Sequence, residues 1–300
     1  MKILLTANKT YRGNADTAYW YVYLPLKQLG HEVYWYDTVA PVEKDYSKII
    51  ERFKPDLIFC CLTNNRTITP FEPWQEIIQE TESGRTKTFN WFCDDTWRFD
   101  TFSHGACHCF SVCSTPDPTY IEKYKAVGYD NILVGMWHVN SEFYPKIEFE
   151  EKTIDMSFIG APTPTRKLIF EQVDVPIQNI FGVSMEELFL KHSQSKIGVN
   201  FSTNDNDPFQ KTEIKQRIFE ITAGAGLLLT QHHSGIEQLF EIDKEIITFT
   251  TLEELSVKAK FLLKNPKITK HIAAAGYKRF IAEHDSKIRL KGLIEQIGEL

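Results

Sequence analysis

The chain has 300 residues, 42% of them hydrophobic and 25% charged, with a formal net charge of −6 and a pI near 5.9. These are ordinary globular values, and the length suits two domains of about 150 residues, each with a substantial core. The acidic balance gives no general basic footprint for nucleic acid, no apolar run approaches the roughly 18 residues of a membrane span, and MKILLTAN lacks a signal-peptide core, so a cytoplasmic chain is expected.

In chain order, Lys2–Thr6 reads as a strand, followed by the polar loop Asn8–Asp16 and a helical stretch that reaches Leu29 and stops at Gly30. Further strands are expected at His31–Tyr36, Asp56–Leu62, Thr86–Phe92, Cys109–Cys113 and Ile132–Met136. Helices near Lys44–Phe53, Glu72–Glu82 and Asp117–Val127 lie between them, the last closed by Gly128. Regular βα alternation argues for a parallel, doubly wound sheet covered on both faces. The pattern restarts at Ile154–Gly160, so the polar stretch Lys146–Lys152 reads as a linker. The expected domains are 1–148 and 149–285, with a terminal helix over 286–300 whose stripe is Leu290, Leu293, Ile294 and Ile297.

All six cysteines lie between positions 60 and 113, which is not a disulfide framework spread over a secreted domain. Cys60 and Cys61 sit in the apolar run LIFCCL and read as buried thiols. His104, Cys107, Cys109 and Cys113 have no distant second pair and fit none of the usual zinc spacings, so no metal is expected.

In open α/β sheets, ligands bind outside the carboxyl ends of the strands, which selects the polar residues to weigh. In the first half, Asn90–Arg98 reads NWFCDDTWR. Asp94 or Asp95 is suited to take a proton from a hydroxyl, while Trp91 and Trp97 are suited to stack on a sugar ring. Adjacent like charges raise one of the two pKa values. The same residues also read as a helix cap with an Asp–Arg98 pair. Asn8 and Arg12 lie on the rim after the first strand, and His138 lies near the crossover between domains.

In the second half, Gly160 ends a strand, and Thr163-Pro164 gives an N-cap followed by Pro at N1. Arg166 falls in the first helical turn, so this loop suits a diphosphate, though an ordinary βα turn has the same signature. Neither G-x-G-x-x-G nor G-x-x-x-x-G-K-[ST] is present, which disfavours NAD binding and P-loop hydrolysis; no cofactor is expected. Ser202–Pro208 is a polar loop after the strand Ile197–Phe201.

Residues 215–230 read KQRIFEITAGAGLLLT. Ile214, Ile218 and Ile221 line one helix face, with Glu213, Gln216, Arg217 and Glu220 on the next. Glu213–Arg217 and Arg217–Glu220 pairs are the plain alternative for that face. Gly224 and Gly226 end the helix through backbone freedom, and LLLT is a buried strand. Ser234 and Glu237 have capping-box spacing, so a helix is expected from Ser234, with His233, Ser234 and Gly235 at an anion-attracting start. The strand EIITF follows, then a second capping box (Thr251, Glu254) and a helix to Leu263 before Asn265-Pro266.

The order R-x-F-E, Gly-rich turn, LLLT, S-G-x-E-x-L-F, E-E-L, L-x-N-P and A-A-A-G-x-x-R resembles the nucleotide-binding domain of GT-B glycosyltransferases. The resemblance runs from about Asp155 to the C-terminus and leans to the CgeB-like, spore-coat maturation branch of the family 1/4 superfamily, which also carries a W-F-x-D-D-x-W-R element. It implies an α/β fold of two Rossmann-like domains with a terminal helix crossing back to the first. It also implies metal-independent transfer from a nucleoside-diphosphate sugar to a hydroxyl acceptor: a glycan, a small molecule or a hydroxylated DNA base. A non-catalytic sugar-nucleotide-binding protein is the other outcome.

On the same resemblance, Glu220 holds the ribose, Lys215, Arg217 and Arg166 meet the diphosphate, Phe181 and Gly182 lie near the base, and His233 lies near the donor. Many retaining relatives carry two Glu residues separated by seven others. Here Glu213 and Glu220 are separated by six and position 212 is Thr, which breaks the pattern for a retaining mechanism.

Overall fold

The computed structural model describes residues 1–11, 14–203 and 212–300. The chain divides into two compact units, one of Met1–Met136 with Ser286–Leu300, the other of Trp137–Asp285. The division falls before 148 because the intervening segment packs into the second unit. Ser141 donates through its amide and hydroxyl to Asp285 at 3.0 and 2.6 Å, Tyr144 meets Phe189, and Phe149 joins that unit's core.

The first unit runs β1 (Lys2–Ala7), a hairpin of β2 (Thr10–Tyr11) and β3 (Asn14–Ala15), α1 (Leu24–Gln28), β4 (Glu32–Asp37), α2 (Tyr46–Phe53), β5 (Leu57–Cys60) and α3 (Trp74–Ser83). It continues through β6 (Lys87–Trp91), α4 (Asp95–Arg98), α5 (His104–Ala106), β7 (Val112–Thr115), α6 (Ile121–Ala126) and β8 (Ile132–Val134). Its six-stranded sheet is parallel, in the order β4-β1-β5-β6-β7-β8. β1 is buried along almost its whole length, as expected for a strand covered on both faces. The long first helix is interrupted: a π-helical turn over Tyr19–Tyr23 precedes α1. Cys109 belongs to a 3-10 turn rather than to β7.

The second unit holds β9 (Ile154–Ile159), α7 (Pro164–Gln172), β10 (Gln178–Ile180), α8 (Met185–Gln194), β11 (Ser195–Asn200), α9 (Arg217–Ala223), β12 (Leu227–Gln231), β13 (Ile247–Phe249), α10 (Leu252–Lys264) and α11 (Pro266–Glu283). Its sheet is also parallel, in the order β10-β9-β11-β12-β13. The terminal α12 (Ser286–Glu299) packs with the first unit, where Lys87 donates through Nζ to the Ile297 carbonyl at 3.0 Å.

Three local expectations are corrected in this unit. α9 begins at Arg217, so Ile214 is not part of it, and the segment from Ser234 forms only a 3-10 turn at Ile236–Gln238. There Glu237 pairs with His232 at 2.8 Å, and Gly235, at φ 97, occupies the cap without a side-chain hydrogen bond. The glycines after α9 serve proximity rather than freedom: a Cβ on Gly224 would sit 2.7 Å from the His192 carbonyl carbon, and one on Gly226 2.9 Å from the Ser195 oxygen. The left-handed position between them is Ala225, at φ 51. α8 starts with Ser184 accepting from the Glu187 amide, a cap legible in S-M-E-E.

Candidate active site

In the second sheet the chain steps from β9 to β10 on one side and to β11 on the other, so the strand order reverses between β9 and β11. Such a reversal opens a crevice at the carboxyl ends, where helices leave in opposite directions. Arg217, at the start of α9, reaches across it. Its Nε donates to the Ile159 carbonyl at 2.7 Å and its Nη1 to Asn200 Oδ1 at 3.1 Å, tying the ends of β9 and β11 together. The guanidinium lies 4.4 Å from the ring centre of Phe158, and a Cβ on residue 160 would come 2.6 Å from Nη2, so a side chain at Gly160 would displace the end of Arg217 from this position.

Arg166 converges on the same ring, at 5.2 Å, and donates through Nη1 to Ala161 O at 3.0 Å. Thr163 caps α7 by accepting from the Arg166 amide, with Pro164 at the first helical position. Two guanidinium groups beside a helix N-terminus concentrate positive potential at one point of the crevice. Lys215 pairs with Glu213. The alternative Glu213–Arg217 pairing gives way to the strand-end contacts of Arg217.

Glu220 is buried between α9 and α8. Gln216 donates to its Oε1 at 3.2 Å, and His192 Nε2 stands 3.5 Å from its Oε2. Burial pushes this carboxyl up, but His192, Arg217 and Gln216 together outweigh it and hold the group below the usual range. Glu220 is therefore an ionised carboxylate with its side chain 11% exposed. Phe181, at the end of β10, is 56% exposed, and Gly182 turns the chain at φ 76. His233 is buried and Ser234 exposed in the loop after β12.

Sequence reasoning missed two residues here. Asn200 orients Arg217 and donates to Thr230 Oγ1 at 3.0 Å; Gln231 Oε1 accepts from the Ser202 and Thr203 amides at 3.1 and 3.2 Å. Both are the last, polar residues of strands with apolar cores (I-G-V before Asn200, L-L-L before Thr230-Gln231), which was the available signal. Of the loop Ser202–Pro208, residues 204–208 lie outside the described residues, as does Arg12.

In the first unit the two aspartates part company. Asp94 is half-buried at the start of α4, its carbonyl accepting from the Trp97 and Arg98 amides. Asp95 is only 1% exposed and accepts from the Tyr124 hydroxyl at 2.9 Å, the Tyr124 ring itself packing edge-on against Phe99. Burial first, then the Asp94 charge, pushes its carboxyl up to about 6 against the Ser103, Thr115 and Tyr124 hydroxyls. Trp91 is buried and donates through Nε1 to Gly135 O at 2.8 Å, so it braces β6 rather than stacking on a ligand; Trp97 is 38% exposed. His138 is buried and belongs to the second unit. Asn8 donates through Nδ2 to Thr10 O at 3.5 Å. Arg98 reaches the Thr63 carbonyl at 2.5 Å and the ring of Phe102. Burial pushes the Cys61 thiol up to about 12 and Cys107 to about 11, so these stay protonated packing groups. No described helix is long and apolar enough to cross a membrane.

No curated protein matches the chain in sequence. Many solved structures share its fold, and three illustrate the match. HepE of Anabaena in complex with UDP superposes with a TM-score of 0.65 at 12% identity, covering 100% of both chains. Sucrose-phosphate synthase of Thermosynechococcus elongatus gives 0.68 at 9%, covering 99% of each. An alpha-glucosyltransferase in complex with UDP gives 0.66 at 10%, covering 99% of this chain and 100% of the other. The two doubly wound parallel sheets are thus the GT-B glycosyltransferase fold, and residues 153–295, the part that carries Arg166, Arg217 and Glu220, match the glycosyl transferase-like family model.

Proposed function

We propose that the chain is a metal-independent glycosyltransferase that moves a sugar from a nucleoside-diphosphate donor to a hydroxyl acceptor. The observation that carries this reading is the pair of guanidinium groups, Arg217 and Arg166, gathered over Phe158 at the strand-order reversal of the family-matched unit. HepE is also known in complex with UDP-glucose, which favours a uridine nucleotide.

In this reading the bond from the anomeric carbon to the β-phosphate oxygen breaks, and the electron pair leaves with the diphosphate. Its growing charge meets Arg217, Arg166 and Lys215, whose fixed positions cost no reorganisation as the reaction proceeds. Glu220 accepts from the ribose hydroxyls, and Phe181 and Gly182 border the base. The acceptor oxygen bonds to the anomeric carbon, and its proton goes to Asp94, the half-buried member of the aspartate pair. Thr212 stands where a retaining relative has its first Glu, which agrees with inversion.

The test is a thermal-shift series against UDP, GDP, ADP, CMP and TDP, with and without chelator, on the natural chain and Arg217→Ala. A selective shift that survives the chelator and disappears in the variant is expected. No response to any nucleotide at millimolar concentration sinks the donor site, and an undiminished response in Arg217→Ala sinks its assignment.

A further inference from the structure

β4 is an outer strand of the first sheet, and a cleft of about 490 Å³ opens along it. Strand alternation sorts its residues. Tyr34 and Tyr36 turn to the core side, against Phe53 and Tyr46, while Trp35 and Asp37 share the other face. On that face three half-buried rings cluster. Tyr19 is 5.8 Å from Tyr23 and 6.1 Å from Trp35, with interplanar angles of 23° and 16°, and Tyr23 is 5.0 Å from Trp35. Trp35 donates through Nε1 to the Ala7 carbonyl at 2.9 Å, which fixes the indole by its edge.

Polar groups border the rings. Asp37 Oδ1 accepts from the Lys9 and Val39 amides, both at 3.0 Å, which holds the carboxylate at the end of the strand. Lys9 Nζ stands 5.6 Å from the Trp35 ring centre, and Glu43 also lines the cleft. Ala7 and Asp37 are paired in register, so this group sits at the carboxyl edge of the sheet, beside the loop that leaves β1.

Aromatic faces bordered by fixed carboxylates recognise a particular ligand class. The C–H face of a pyranose lies on a ring while its hydroxyls donate to carboxylate oxygens. A nucleic acid also stacks on such rings, but two carboxylates against one lysine repel its phosphates, whereas a neutral sugar bears no such penalty. We propose that this cleft binds a neutral saccharide, the extended arm of a glycan acceptor. The word acceptor rests on the transferase reading; the saccharide rests on the cleft alone.

Saturation-transfer NMR without donor tests it, using maltohexaose, cellohexaose, laminarihexaose and chitohexaose, with single-stranded dT12 as competitor class. At least one hexasaccharide should bind at millimolar concentration or below. Tyr23→Ala should weaken it about tenfold, the worth of one stacking partner. Asp37→Asn, which keeps a carbonyl for the Lys9 and Val39 amides, should weaken it severalfold. Both variants should keep the response to UDP, which certifies their fold. Silence from all four sugars, preference for dT12, or unchanged affinity in both variants overturns the proposal. Saccharide binding in a protein that ignores every nucleotide leaves the cleft standing and sinks the transferase reading instead.

Discussion

The two sheets reverse strand order in the same way, yet their carboxyl edges are furnished oppositely. In the second unit the crevice between β9 and β11 collects arginines, held by strand-end carbonyls and by Asn200. In the first unit the reversal lies between β1 and β5, and the acids around it serve their own loops. Glu72 accepts from the Thr63 and Asn64 amides, the Thr69 hydroxyl and Trp74 Nε1 at 2.8–2.9 Å, and Asp95, after β6, is buried against the Tyr124 hydroxyl. On the proposed reading, one sheet supplies a frame-built anion site, while the other leaves recognition to Asp94, a loop and an outer strand. This is the division expected of a transferase with a fixed donor type and a variable acceptor.

The sharpest way to break the contrast is to exchange the roles of the two aspartates. Asp94→Ala should lower turnover by roughly 10²–10⁴-fold, the range for losing a positioned base, with little change in Tm. Asp95→Asn should leave turnover within severalfold. If Asp95→Asn is the silent enzyme and Asp94→Ala the active one, the assignment is inverted.

Asp95 should declare itself in stability instead. Its folded pKa of about 6 lies above the unfolded 3.8, so the folded state holds the proton more tightly. The stability this contributes is complete below the unfolded value and is lost as pH rises through about 6. Denaturant unfolding of the natural chain against Asp95→Asn should therefore shift by about 3 kcal/mol in favour of the variant between pH 3.5 and 7. A difference flat across that range would show that the carboxyl is not desolvated.

The fold was largely legible because its signals are local: βα alternation, the cap at Thr163-Pro164 and the capping Thr251, which accepts from the Glu254 amide at 3.1 Å. The site was legible only as residue types. That Arg217 serves β9 and β11 rather than Glu213 follows from the strand order, which no helical spacing contains. Asp94 and Asp95 are neighbours in sequence, and only the packing of Asp95 against Tyr124 separates a half-buried acid from a fully buried one. The helix expected from Ser234 failed because a capping box describes a start, not the length of chain that follows.

Glu220 gives a smaller effect of opposite sign. Its folded pKa is depressed, so its contribution is present above the unfolded value of 4.5 and is lost as pH falls through the folded one. Glu220→Gln should cost about 1–3 kcal/mol near neutrality, and the gap should close in acid. The same variant should weaken UDP binding about tenfold if the carboxylate holds the ribose. A stability loss with unchanged UDP affinity would confine Glu220 to bracing α9 against α8.

The smallest expected effect is at Phe181, and it separates a recognition surface from a packing one. The ring is more than half exposed at the end of β10, beyond a strand already closed by the buried Ile180, so its removal creates no cavity. Phe181→Ala should leave Tm within about a degree, since an exposed side chain contributes little to folding. Loss of a stacking face should raise the KM for the donor severalfold with kcat unchanged, because base stacking is the same in ground and transition states. A fall in kcat at constant KM would place Phe181 against the transferring sugar instead, and would move the base to the other wall of the crevice between β9 and β11.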